Sequence, residues 1–171
     1  EPLAPLVTAV VAPEEPNALG GALAAADRNI IAPILVGARA AISEAAAELG
    51  RPLDGIEIVD VPDHAAAAHA AVDLVADGRA GALMKGHLHT DDFLRAVLRS
   101  EVGLRTDRQL SHVFVMEIPM YHKLLLITDA AINIYPDLVQ KAAIVQNAID
   151  LLRQLDVDKP KVAALSAARR A

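Results

Sequence analysis

The 171-residue sequence contains no cysteine and no tryptophan, and its aromatic rings are confined to two Tyr and two Phe. Without cysteine there can be no disulfide, no thiolate metal ligand and no cysteine nucleophile. So few aromatics leave little for unpaired bases to stack on, and a net charge of −6 lacks the clustered Lys and Arg that phosphate backbones need. Both features argue against a nucleic-acid partner. No stretch approaches the roughly 18 uninterrupted apolar residues of a membrane span, and the opening "EPLAPLVTAVV" lacks the basic start of a signal peptide. The expectation is a cytoplasmic protein with no membrane partner. The first residue is Glu instead of Met, from which we expect a piece of something longer. Also missing is a dinucleotide fingerprint: the "GG" at 20 and 21 lies inside a helical pattern and is not G-x-G-x-x-G.

What the chain has in excess is apolar residues, 54% of the total, with a mean hydropathy of +0.34. About a fifth of the residues are alanine, so much of that count is helix former. The length is enough to bury one compact core or two small ones.

Short strand-like runs alternate with helical patterns. "LVTAVV" (6–11) precedes "NALGGALAAADR", where Leu19, Ala22, Leu23 and Ala26 recur at helical spacing. "PILVG" (33–37) precedes a helix over about 40–49, and "IEIVDV" (56–61) precedes an alanine-rich helix over about 63–77, stopped by Gly78. "AGALM" (80–84) then leads to a helix beginning near Thr90. Strand and helix repeated in this way predict a parallel sheet covered by helices. After Gly103 the rhythm changes. "SHVFVMEI" (111–118) and "KLLLITDA" (123–130) read as two strands joined by a short connection. One long helix follows over about 136–155, with Pro136 in its first turn, and "KVAALS" from Lys161 reads as a last strand. The expected domains are therefore 1–103 and 104–171, the second only partly present.

The densest polar interruption is "GALMKGHLHTDDFLRAVLR" (81–99). In a parallel sheet, ligands gather beyond the carboxyl ends of strands, and residues 85–92 fall between a strand and a helix. Lys85 supplies a point charge, Gly86 would let the backbone approach a ligand, and Thr90 can cap the helix while leaving N–H groups for an anion. The plainer alternative is that Thr90, Asp91 and Asp92 merely start a helix and Lys85 lies in solvent. His87 and His89 form H-x-H, a fragment of a metal site, but the other four histidines supply no i, i+4 partner, so no metal is expected. In "LITDAAIN", Asp129 and Asn133 follow an apolar strand and can either orient a substrate or satisfy a tight turn. Ser111 and His112 are adjacent, so on an extended chain they point apart and do not form a nucleophile–base pair.

Together, "ALMKGHLHTDDFLRAVL", "GLRTDRQLSHVFVMEIPMYHKLLLITDAAINIYPDL", "KAAIVQNAIDLLRQL" and "KVAALSA" resemble the phosphate acetyltransferase/phosphate butyryltransferase family. The likeness is nearest to the transferase half of bifunctional enoyl-CoA hydratase/phosphate acetyltransferases. It runs from "TAVVAPEE" to Ser166. The resemblance implies an α/β fold of the isocitrate/isopropylmalate dehydrogenase type, with two domains and a cleft between them. It implies transfer of an acyl group between coenzyme A and inorganic phosphate, with acyl-CoA and phosphate as partners and CoA as a substrate, so that no cofactor is expected. Carried over, Lys85, Gly86 and Thr90 are substrate-binding positions, and Ser111, Asp129, Asn133 and Ser166 match further motif positions.

Two departures are visible. Ala130 stands where acetyl-specific relatives often carry Cys, and "LSA" continues as "ARRA" where family chains usually read "VE". Family chains run on, so the catalytic residues are expected beyond residue 171 and this chain is expected to be inactive alone. Exposed strand edges in the second part would favour a homodimer or higher self-association. The rival readings are a non-catalytic remnant that binds CoA, a phosphate compound or a partner chain, and a metal hydrolase built on the H-x-H.

Overall fold

The structure is a computed structural model and describes residues 3–101 and 104–165. It divides into two compact units, Glu1–Arg105 and Thr106–Ala171. Leu104 packs on the core of the first unit, which places the division just beyond the glycine where the sequence rhythm changes.

The first unit alternates strand and helix: β1 (Leu6–Val11), α1 (Pro16–Asp27), β2 (Ile31–Gly37), α2 (Arg39–Glu48), β3 (Glu57–Asp60), α3 (His64–Ala76), β4 (Ala82–Lys85) and α4 (Thr90–Val97). The strands form one sheet in the order β3-β2-β1-β4, and every pairing is parallel. The central strand β1 carries residues to two separate cores. Val10 packs with Leu19, Ala22 and Leu23 of α1 and with Ile42, Ala45 and Ala46 of α2. Ala9 and Val11 pack on the opposite side with Ala67, Ala68, Ala71 and Val72 of α3 and Ala96 of α4. Period-2 alternation along a strand buried on both faces produces this arrangement. Helices therefore cover both faces of the sheet, and the alanines of α3 let that helix lie close against it.

Local chemistry sets the element ends. Pro16 occupies the first turn of α1, and the Asp63 carboxylate accepts the Ala66 N–H (2.8 Å) to cap α3. Gly78, at φ +72°, turns the chain out of α3 in a conformation that costs a side chain strain. The expected cap at Thr90 needs correction. His89 is the N-cap of α4 and its ring makes no capping bond, while Thr90 is the first helical residue. Asp91 and Asp92 in the first turn and Arg95 in the last still complement the helix dipole.

The second unit holds β5 (Phe114–Met116) paired antiparallel with β6 (Leu125–Ile127), followed by α5 (Leu138–Gln154). Both strands are shorter than their apolar runs, and residues 110–112 and 128–129 belong instead to a hydrogen-bond network described below. Pro136 stands outside α5: Asp137 is the N-cap, in a reciprocal capping box with Gln140. No strand forms over residues 161–165. Ser166 lies outside the described residues.

Candidate functional site

The carboxyl edge of the four-stranded sheet is the natural crevice. β1 leads to its neighbour β2 on one side, whereas β3 crosses back to β4 on the other, so the strand order reverses between β1 and β4. Ligands of open parallel sheets bind at such a switch point. The loops that flank it are residues 12–15 and 86–89.

These two loops are joined by backbone. Gly86 N–H donates to the Val11 carbonyl (2.8 Å) and His87 N–H to the Ala12 carbonyl (2.8 Å), while Ala12 itself turns at φ +48°. A Cβ on Gly86 would lie 2.5 Å from the Ala12 carbonyl oxygen and closer still to that of Val11. The glycine thus serves approach to the protein's own β1 turn. Lys85 is equally committed: its Nζ donates to the carbonyls of Leu88 (2.9 Å) and Gly86 (3.3 Å), holding the loop in a tight curl. It is neither a loose surface lysine nor a wholly free cation.

The same edge carries a cluster that the sequence did not announce. Glu14, after β1, accepts the Ala38 N–H at the start of α2 (2.9 Å) through Oε1 and meets His64 Nε2 (2.8 Å) through Oε2. Its neighbour Glu15 pairs with His87 Nδ1 (3.0 Å), and the His64 and His87 rings meet edge to face, with centroids 6.0 Å apart. Gly37 is open enough for this only because it lacks a Cβ, which would sit 2.8 Å from Glu14 Oε1. Arg39 N–H donates to Asp60 (2.9 Å), tying the ends of β2 and β3 together. Glu14 and His64 are 50 residues apart in sequence. Only the topology brings them together, and no local spacing could have found them. His89, the second member of the H-x-H, occupies the N-cap position of α4. Among the described residues no group of three or more His, Asp or Glu is placed to hold a metal.

In the second unit, Asp129 sits at the centre of a turn. Its carboxylate accepts the backbone N–H groups of His112 (3.3 Å), Ala131 (3.2 Å), Ile132 (3.1 Å) and Asn133 (3.2 Å), and the Asn133 amide. The Asn133 amide also donates to the Leu110 carbonyl (3.0 Å) and accepts from Gln109 (2.7 Å). Asn147 of α5 donates to the Gln109 carbonyl (2.7 Å) and to Ser111 Oγ (2.9 Å). Of the sequence candidates, Asp129 and Asn133 touch each other, and Ser111 joins them through Gln109 and Asn147. Lys85, Gly86 and Thr90 share a single stretch of the first unit.

Partial burial raises the Asp129 carboxyl, but the Asn133 amide and the Ala131, Ile132 and His112 N–H groups outweigh it and hold the group below its ordinary value of 3.8. A depressed value stabilises the folded form above the unfolded one, and the benefit disappears as the pH falls through the depressed value. The turn is therefore expected to loosen below pH 3.8. Asp129→Ala should remove that acid dependence and cost about 1 kcal/mol, since the carboxylate is partly exposed and its N–H partners can recover water. Acid titration of parent and variant, followed by the amide signals of residues 131–133, checks this. Identical acid midpoints would contradict it.

A unit with a doubly wound parallel sheet and helices on both faces is an α/β fold, and its switch point is where such folds usually take a ligand. Residues 64–170 match the family described as phosphate acetyl/butaryl transferase, and the chain belongs to that family. It is 52% identical over 164 residues to a phosphate acetyltransferase of Rhizobium meliloti, covering 96% of this chain and 52% of the relative. It is 40% identical over 159 residues to a phosphate butyryltransferase of Clostridium beijerinckii, covering 93% of this chain and 52% of that one. Among solved structures, a branched-chain phosphotransacylase from Enterococcus faecalis superposes with a TM-score of 0.77 at 32% identity, covering 95% of this chain and 57% of that chain. The chain spans about half the length of the curated relatives it matches. Among the described residues no helix is long and apolar enough to cross a membrane.

Proposed function

We propose that this chain is part of a phosphate acyltransferase that exchanges an acyl group between coenzyme A and phosphate, with CoA as a substrate and no bound cofactor, in the cytoplasm. The observation that carries the reading is the 52% identity to a phosphate acetyltransferase along nearly the whole chain. Its architecture would be of the isocitrate/isopropylmalate dehydrogenase type, divided as residues 1–103 and 104–171, and it would act as a homodimer or larger assembly. In this reading Lys85, Gly86 and Thr90 contribute substrate contacts from the first unit, and Ser111 and Ser166 from the second. Asp129 and Asn133 serve by fixing the end of β6. Attack of a thiolate on an acyl phosphate, or of phosphate on a thioester, develops negative charge on the carbonyl oxygen, which fixed donors stabilise.

The test is thiol release from acetyl-CoA or butyryl-CoA with phosphate, in the chain extended after Ser166 by the corresponding segment of the Rhizobium relative. Release must depend on phosphate. Lys85→Ala in that protein is expected to lower kcat/KM for phosphate by about tenfold, because it loses a cation near the crevice and also uncurls the loop. Phosphate-independent hydrolysis would contradict the reading, and unchanged kinetics would return Lys85 to a purely structural role.

A further inference from the structure

The paired carboxylates and imidazoles at the sheet edge have a chemical consequence. Glu14 is largely enclosed, its side chain 14% exposed, whereas His64 keeps 41% of its side chain open. A carboxylate can only accept, so the ring nitrogen 2.8 Å away must donate. That fixes the proton of a neutral His64 on Nε2 and leaves Nδ1 a bare acceptor. Among the described residues nothing hydrogen-bonds to that nitrogen. Glu14 is itself immobilised by the Ala38 N–H, so neither the carboxylate nor the ring is free to turn. His87, paired with Glu15 through Nδ1, stands edge-on to the His64 ring and belongs to the loop that contains Lys85 and Gly86.

We propose that Glu14 is a positioning residue that holds His64 as the Nε2–H tautomer, so that His64 Nδ1 accepts a hydrogen bond from an amide N–H or thiol of a pantetheine-type acyl carrier at the switch-point crevice. The ligand class rests on the acyltransferase reading. The tautomer rests on the Glu14–His64 geometry alone. A pantetheine arm presents donors and carries no charge, which suits the position beside His64, where the nearest side chains are the carboxylates of Glu14 and Glu15. A buried carboxylate behind an imidazole is also the usual device for fixing which ring nitrogen is bare.

The test uses the 171-residue chain labelled with 15N, at about pH 8, above the usual range in which a free imidazole takes up a proton. In the parent, His64 Nε2 should resonate as a protonated ring nitrogen and Nδ1 as a bare one. Titration with CoA should move the Nδ1 signal. Glu14→Gln can still accept from Ala38 but now donates to Nε2, so the tautomer should invert, the backbone spectrum should persist outside the cluster, and the response to CoA should weaken about tenfold. His64→Gln retains a donor for Glu14 without the Nδ1 acceptor, and the α3 amides should then lose their CoA response. This second variant decides the matter if Glu14→Gln fails to fold. A parent ring protonated on Nδ1 overturns the proposal. CoA shifts elsewhere with His64 silent overturn it while leaving the acyltransferase reading intact. Silence of every signal up to millimolar CoA also overturns it, and the thiol-release assay then judges the reading separately.

Discussion

Gly86→Val should destabilise the first unit by on the order of 3 kcal/mol and lower its unfolding temperature by roughly 15 °C. The cause is contact with backbone. A Cβ at this position meets the Ala12 carbonyl oxygen at 2.5 Å, and the Val11 carbonyl is nearer still. Those same carbonyls accept the Gly86 and His87 N–H groups, so relief by moving the loop breaks two hydrogen bonds that link the ends of β1 and β4. The obstacle cannot rotate away. Gly81→Ala is the internal control: its Cβ would meet Leu6 Cδ1 at 2.8 Å, the far end of a flexible side chain, and the cost should stay near 1 kcal/mol. Thermal unfolding of the three proteins measures the ranking. Equal losses for Gly86→Val and Gly81→Ala would show that the β1–β4 junction is softer than its geometry requires.

Much of the first unit was legible because each element carried its own signal. "LVTAVV" forms β1 over the residues expected, and Leu19, Ala22 and Leu23 are the buried face of α1, as their spacing required. Gly78 ends α3 for the reason its position suggested. The Lys85–Gly86 turn does lie just past a strand in a parallel sheet. What that turn does was not legible, since the partners of Lys85 Nζ and of the Gly86 backbone are carbonyls whose approach depends on strand order. The Glu14–His64 pair was hidden for the same reason.

The second unit was harder to read because its apolar runs promised more sheet than forms. Phe114, Val115 and Ile127 are 51%, 47% and 44% exposed, and since Phe114 and Val115 point to opposite faces, neither face of this ribbon is well covered among the described residues. The residues before β5 and after β6 go into the Asp129–Asn133 turn and the Asn147 bonds instead of the ladder. "KVAALS" had a strand's composition, but Val162 and Leu165 stand 55% and 96% exposed, with no partner strand among the described residues. A strand needs a neighbour as well as a propensity.

The 171-residue chain alone should give background thiol release from acetyl-CoA or butyryl-CoA with phosphate, while the chain extended after Ser166 with the relative's segment should turn over. The expected difference is at least about three orders of magnitude, the usual loss when positioned acid–base and electrostatic groups are absent. The first unit can still fold, since four strands and helices on both faces close two cores without help from later residues. Activity is a different requirement. Of the candidates in the second unit, the Asp129 carboxylate and the Asn133 amide are occupied by the turn, and Ser111 Oγ already accepts from Asn147. Among the described residues no serine pairs with a histidine, and Lys85 spends its donors on loop carbonyls. The chain spans about half the length of the relatives that bear the activity in their names. Circular dichroism should therefore report a folded α/β protein in the same preparation that shows no phosphate-dependent release. Robust turnover by the 171-residue chain would mean that the groups at the carboxyl edge, Glu14, His64 and Lys85, suffice for chemistry as well as for binding.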